Sequence, residues 1–324
     1  MQVAIVTRYG SPGTIEVRDI ATPAPGPGEL LVRVHAATVN RTDCGELLHP
    51  NLIRLMVGAG FRRRAVLGLD FAGTVEAVGA GAGRFSPGDA VFGMAPLGCE
   101  GAQAEYLCIS ETAPMAHMPA NLRFNEAVLC EGAYYANAGV EQLGYKPGDR
   151  VLIYGASGAI GTAALQLARL RGAEVTAVVA GRHLDLVRAL GADVAIDYRT
   201  EAFERLGRDY DYVFDAVGKL GNRHWRRLLK PGGIFAATDL GPGGQYLWPL
   251  LRSKLGGNGR AVVPLPPKGS AQAFVDALKH MIEAGQYRPV IDRHYPLAAI
   301  AEAYRFVQTG EKAGIVVIDV AADA

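Results

Sequence analysis

The chain has 324 residues, 33 of them basic and 32 acidic, enough for about two domains around a large core. The near balance of charge excludes a polyelectrolyte role: nothing in it points to nucleic acid or to an anionic membrane as partner. Four cysteines (Cys44, Cys99, Cys108, Cys130) form no C-x-x-C pair, and no apolar run reaches membrane-spanning length, so the expectation is a cytoplasmic protein rather than a disulfide scaffold or a membrane protein.

Met1 to Arg8 reads as a strand, being too short and too early-charged for a secretory signal. Up to about residue 120 short alternating or apolar runs follow one another, at Ile15–Asp19, Glu29–Ala37, Gly73–Val78, Ala90–Gly93 and Gln103–Ile109. Pro/Gly turns such as Pro23–Gly28 and Ser86–Asp89 separate them, and Thr42–Leu55 has room for one short helix. The period then changes. A helical stretch at 125–143 leads into strands expected at 151–154, 173–179, 194–196, 211–215 and 233–238, with helices at 158–171, 182–190, 200–207 and 221–229 between them. Such alternation predicts a parallel sheet wrapped by helices. A helix at Leu297–Thr309 and a strand at Ile315–Val320 close the chain.

The most informative stretch runs from Val151 to Ala168. An uncharged β-prone run gives way to helix formers, and Gly155, Gly158 and Gly161 stand between them. A glycine turn after a strand and before a helix lets backbone approach a pyrophosphate and places it on the positive end of that helix. A second strand, Ala173–Val179, follows at βαβ distance. Backbone at Gly155, Ser157, Gly158, Ala159, Ile160 and Gly161 is therefore the candidate nucleotide cradle. The competing reading is a glycine-rich turn with a packing role alone.

The second strand of this unit ends Val179-Ala180-Gly181-Arg182-His183, with no carboxylate to hold the ribose 2′-hydroxyl of NAD. A basic side chain there suits a 2′-phosphate, so NADPH is expected, with Ala180, Gly181 and Arg182 at the adenosine end. Arg182 also reads as a solvated residue at a helix start, and Asp185, a turn later, as surface charge.

Taken together, the pieces resemble the medium-chain dehydrogenase/reductase superfamily, in its zinc-lacking quinone oxidoreductase branch. The resemblance rests on Val39-Asn40-Arg-Thr-Asp43, Gly68-Leu-Asp-Phe-Ala-Gly73-Thr-Val-Glu-Ala-Val-Gly79, Phe85-Ser-Pro-Gly-Asp89-Ala-Val-Phe-Gly93, Gly101-Ala-Gln-Ala-Glu-Tyr106, Lys146-Pro-Gly-Asp149 and the glycine turn, in that order. It implies an α/β protein in which a GroES-like β-barrel catalytic domain (1–121 and 292–324) holds a doubly wound, parallel-sheet Rossmann domain (122–291), with the active site in the cleft. It also implies Tyr198 near the adenosine ribose and its phosphate. Val217, Gly218 and Leu240 would line the cofactor, and Lys312 and Gly314 would approach it from the catalytic domain.

Zinc enzymes resembling this chain carry a ligand where it has Asn40, Leu69 and Glu131. Leucine cannot ligate, and catalytic zinc needs three protein ligands, so no metal is expected. The resemblance places Asn40 and Asp43 beside the nicotinamide ribose and substrate, although an Asp next to Thr42 at a helix start is equally a cap. Glu131, in an apolar setting, reads either as a proton donor of raised pKa or as a carboxylate paired with an arginine. Tyr134 and Tyr135 are further donors or simply core.

The functional expectation is an NADPH-dependent, zinc-independent reductase passing hydride to a quinone or an α,β-unsaturated carbonyl. Two alternatives stand beside it, an enoyl-thioester reductase and a non-catalytic NADPH-binding sensor or structural protein. Arg62-Arg-Arg64 is either a solvated loop or the entrance for an anionic acceptor. Leu247–Leu251, apolar in a loop-like context, suits a substrate pocket or a subunit contact. Gly259–Pro264 is a candidate edge strand for a homodimer.

Overall fold

The computed structural model describes residues 1–51, 65–97, 99–203, 206–207, 209–254, 260–267 and 269–321. By packing, the chain divides into a first unit, Met1–Glu131 with Gly269–Ala324, and a second, Gly132–Lys268. The division falls within the first turn of a helix.

In chain order, β1 (Gln2–Val6) pairs antiparallel with β2 (Ile15–Asp19). The long strand β3 (Glu29–Thr38) is followed at once by α1 (Arg41–Leu48). Then come β4 (Asp70–Val78), β5 (Ala90–Met94), β6 (Tyr106–Ser110) and the short β7 (Met115–His117). Of the helix expected at 42–55, residues 52–55 lie outside the described residues, as do Arg62, Arg63 and Arg64.

The second unit is built on a six-stranded, all-parallel sheet. After α2 (Cys130–Leu143) come β8 (Arg150–Tyr154), α3 (Ala159–Leu170), β9 (Glu174–Val179), α4 (Leu184–Ala189), β10 (Val194–Asp197) and β11 (Tyr210–Asp215). They are followed by α5 (Asn222–Leu228), β12 (Leu229–Ala237), α6 (Leu247–Lys254) and β13 (Arg260–Val262). The strands lie in the order β10-β9-β8-β11-β12-β13, so the sequence direction reverses between β8 and β11. In open α/β sheets ligands bind at such a switch point, beyond the carboxyl ends of the strands. The core includes Leu152, Val178 and Val213, with Trp225 stacked on Phe235 at 4.6 Å and Tyr246 edge-on to Phe235 at 5.0 Å.

Of the helix expected at 200–207, residues 204 and 205 lie outside the described residues; ahead of them the chain turns, with the N–H groups of Thr200 and Glu201 both on the carbonyl of Asp197. One expectation needs correction here. Leu247–Leu251 is not a loop but the first part of α6. Pro249 is tolerated because it stands in the first turn, where no intrahelical acceptor would receive its missing N–H. Of the expected edge strand, Gly259 lies outside the described residues, and Arg260–Val262 is β13, at the sheet edge.

The chain then returns to the first unit with α7 (Ala271–Glu283), which packs on β7 there, although the sequence places these residues with the Rossmann domain. β14 (Ile291–Pro296), α8 (Ile300–Thr309) and β15 (Ile315–Asp319) follow. The first unit's sheet has seven strands in the order β14-β15-β3-β4-β5-β7, with β6 also on β3. Along the edge away from β4, β3 serves two partners in succession: its start, Glu29–Arg33, pairs with β6 and its end, Ala36–Thr38, with β15. Leu30, Val32, Phe71, Met115, Tyr304 and Val316 are among the residues of its core. No helix among the described residues is long and apolar enough to cross a membrane.

Candidate functional site

In the second unit, β8 ends at Tyr154, in register with Asp215 at the end of β11. Gly155 follows with φ +78°, in the left-handed region that favours glycine. A Cβ on Gly155 would stand 2.6 Å from Val217 Cγ1, and one on Gly161 only 2.2 Å from the Gly155 carbonyl oxygen. Gly158 differs. It caps α3 with φ −75°, and the nearest atom to a Cβ there is the Gly155 oxygen at 3.8 Å, so the space beside it is open. The helix ladder starts with Thr162 donating to the Gly158 carbonyl at 2.8 Å. The N–H groups of Ala159, Ile160 and Gly161 are thus the unsatisfied donors of the helix start, with Ser157 just ahead of them.

The neighbouring turn is organised by Asp215. Its Oδ1 accepts the N–H groups of Val217 (3.0 Å) and Gly218 (2.8 Å), and Oδ2 accepts Leu220 N–H (2.7 Å) and Tyr246 O–H (2.7 Å). Gly218 has φ +69°, and a Cβ there would overlap Asp239. Sequence reading missed Asp215 and Tyr246. The available signal was a carboxylate ending an apolar run.

At the end of β9, Ala180 leads into a single 3-10 turn, Gly181–His183. Arg182 is exposed, its Nε donating to His183 Nε2 at 3.0 Å. Across the strand ends, Asp197 Oδ2 would lie 2.5 Å from a Cβ on Gly181. Tyr198 and Leu240 are exposed, the Tyr198 ring tilted 6.3 Å from that of Tyr154. Tyr134, also in this unit, reaches the Pro267 carbonyl with its hydroxyl at 3.4 Å.

The other candidates meet in the first unit. Thr38 ends β3 and Asn40 caps α1. Asp43 Oδ2 accepts the Asn40 N–H at 2.7 Å, one arm of a capping box, and Oδ1 accepts Gly68 N–H at 3.1 Å. Asp43 is fully buried with both oxygens engaged, which is the geometry of its cap reading. Asn40 Nδ2 donates to Thr38 Oγ1 (3.0 Å) and to Asp70 Oδ2 (2.9 Å), and Thr38 Oγ1 donates to the same Asp70 oxygen at 3.3 Å. Asp70 Oδ1 accepts the Glu131 N–H at 2.7 Å. Thr42 donates its hydroxyl to Glu131 Oε1. No arginine pairs with Glu131 among the described residues; the cation that acts on it is Lys312, whose Nζ donates to the Gly314 carbonyl at 2.6 Å. Gly314 (φ +73°) is required by packing, since a Cβ would lie 2.0 Å from the Val290 carbonyl oxygen.

Burial dominates the electrostatics of this cluster. It pushes Glu131 up to about 8, and the charge on Asp70 pushes the same way, whereas the Thr42 hydroxyl and Lys312 oppose it. Asp70 is pushed up only to about 6, because its three donors favour the charged form. Lys312 is pushed down to about 8 by burial, with Glu131 as the main opposing influence. Near neutral pH the cluster therefore holds an ionised Asp70 beside a protonated Glu131. A buried carboxyl that keeps its proton at neutral pH is a proton donor in waiting.

Residues 26–120 match the family model described as alcohol dehydrogenase GroES-like domain, and residues 190–318 that described as zinc-binding dehydrogenase. The 2-methylene-furan-3-one reductase of Solanum lycopersicum is 30% identical over 96% of this chain and 77% of its own length. The chain belongs to the medium-chain dehydrogenase/reductase superfamily. Within it, a chloroplastic quinone-oxidoreductase homolog of Spinacia oleracea is 29% identical over 93% of this chain and 92% of its own. A mycobacterial protein solved in complex with NADPH superposes with a TM-score of 0.82 at 25% identity, covering 99% of this chain and 100% of that one. This dehydrogenase/reductase stands with the quinone oxidoreductase branch: a GroES-like domain plus a Rossmann-like parallel sheet, an oxidoreductase with a nicotinamide cofactor and a small-molecule substrate.

The zinc of related enzymes does not fit the residues present here. Leu69 is buried and has no donor atom, and among the described residues no three His, Cys, Asp or Glu side chains are arranged to hold a metal ion.

Proposed function

We propose that this protein is an NADPH-dependent, zinc-independent reductase of quinones or α,β-unsaturated carbonyls, in which Glu131 supplies the proton. The observation that carries the reading is the buried Glu131 carboxyl, protonated near neutral pH beside an ionised Asp70. The bound nicotinamide supplies a hydride. The residues of this chain do the rest. The open backbone of Ser157–Gly161 holds the pyrophosphate, and Arg182, with Tyr198 nearby, receives the 2′-phosphate. Val217, Gly218 and Leu240 line the cofactor. Thr42 donates to Oε1 of Glu131, so the carboxyl proton resides on Oε2 and is free to leave from there. Asn40 is the second polar group of the site, with Asp43 holding its backbone. Lys312 compensates the charge left on Glu131 once the proton has gone.

The relatives support this acceptor class by name: one reduces a 2-methylene-furan-3-one, and another is a quinone-oxidoreductase homolog. A homodimer joined along β13 fits its free edge and the exposed Leu247, Trp248 and Leu251 of the adjacent α6. The test of function is Glu131→Gln. It should lower turnover of a small enone by about 100-fold or more and leave the NADPH dissociation constant within about twofold. Unchanged turnover would remove Glu131 from the reaction.

A further inference from the structure

We infer that Asp70 is a positioning residue, a single buried carboxylate that holds the start of the Glu131 helix and the Asn40 side chain together. The inference rests on the reading of Glu131 as proton donor. Asp70 opens β4, is fully shielded from solvent, and is bonded to three other elements. It takes the Glu131 N–H at the start of α2, the Asn40 amide at the cap of α1, and the Thr38 hydroxyl at the end of β3. The first N–H groups of a helix lack intrahelical partners and carry partial positive charge, so a carboxylate is well placed there. The Asn40 amide has only one orientation on this site: the atom facing an ionised carboxylate must be its NH2.

The same contact couples Asp70 to the chemistry. The Asp70 charge acts on the Glu131 carboxyl; two buried carboxyls coupled in this way cannot both ionise cheaply, and the one with more donors takes the charge. Among the described residues Asp70 has three donors, whereas Glu131 has the Thr42 hydroxyl alone. The other groups facing the pair are Asp43 of α1, Lys312 ahead of β15, Cys130 on the same helix, and Tyr287. Burial keeps the Cys130 thiol and the Tyr287 phenol neutral, and Lys312 opposes the effect of Asp70. The charge on Asp70 is thus the largest single group influence keeping Glu131 protonated.

The experiment is the pH dependence of kcat/KM for a small enone in wild type, Asp70→Asn and Asp70→Glu, with Glu131→Gln in the same series. In Asp70→Asn the alkaline limb should move from pH about 8 to lower pH by about one unit or more, with the NADPH dissociation constant within about twofold. Asp70→Glu should restore the limb. A limb that stays put in Asp70→Asn, with activity falling only in step with melting temperature, would leave Asp70 a structural residue and overturn the inference. Glu131→Gln turning over at the wild-type rate would instead remove the proton-donor reading, and this inference with it. Hydrogen exchange at the Glu131 amide needs no variant. Its protection factor should fall as the pH drops through about 6 and Asp70 takes up a proton, and a constant factor would contradict the inference.

Discussion

Gly161 packs on Gly155 so closely that a Cβ on the former would stand 2.2 Å from the carbonyl oxygen of the latter. The glycine between them, Gly158, has open space beside it. One turn therefore contains one glycine set by packing and another that leaves room for a ligand.

This separates two substitutions. Gly161→Ala should destabilise the protein by about 2–3 kcal/mol, lowering the melting temperature by roughly 5–10 °C, because backbone must move. Gly158→Ala should melt within about 2 °C of wild type, its cost being a few tenths of a kcal/mol, yet lose NADPH binding by about tenfold or more, since its methyl occupies the pyrophosphate path. Differential scanning calorimetry and NADPH fluorescence titration measure the two effects.

On the proposed reading, Arg182 carries the choice of nucleotide. Replacing it with Ala should raise KM for NADPH by about 10–100-fold, the worth of one charge-assisted contact, and leave KM for NADH nearly unchanged. Initial rates with both cofactors decide it, and equal losses for the two would contradict the assignment.

Glu131 should also govern stability against pH. Its folded-state value lies near 8, above the ordinary 4.5. Between those limits the folded protein binds more protons than the unfolded chain, so this group's contribution is full below 4.5 and lost as the pH rises through 8. Asp70 acts in the same sense between 3.8 and about 6. Glu131→Gln removes the first of these penalties. Relative to wild type, the variant should gain about 2–4 kcal/mol between pH 5 and pH 8, as read by urea denaturation at each pH.

Asp215→Asn tests the turn beside the glycines. Asp215 receives four donors, two on each oxygen, and an amide in its place turns one acceptor into a donor facing two others. A loss of about 2–4 kcal/mol is expected, with weakened cofactor binding, because Val217 and Gly218 are held by the same carboxylate.

The glycine turn was legible because its backbone demands a particular residue type, and the alternation of strand and helix around it fixes a parallel sheet. Asn40, Asp43 and Glu131 were legible from their places in family blocks, and the structure brings them into one cluster within the first unit. Asp70 and Thr42 were not. Their bonds to Glu131 span 61 and 89 positions, and nothing local marks either residue as a partner. The resemblance implies that Lys312 approaches the cofactor; that its ammonium is buried on the Gly314 carbonyl is a detail the sequence does not mark. The helix α6 was hidden by Pro249 and the glycines at 241, 243 and 244 before it, because a proline in a first turn looks the same in sequence as a proline that prevents a helix.

The most direct test of a zinc-independent, NADPH-dependent reductase is the initial rate of NADPH oxidation by EDTA-treated protein, with a small enone and a small quinone as acceptors. Turnover with NADPH should survive the chelator and exceed that with NADH. Activity lost to EDTA and restored by zinc would contradict that reading, as would tight NADPH binding with no turnover of either acceptor.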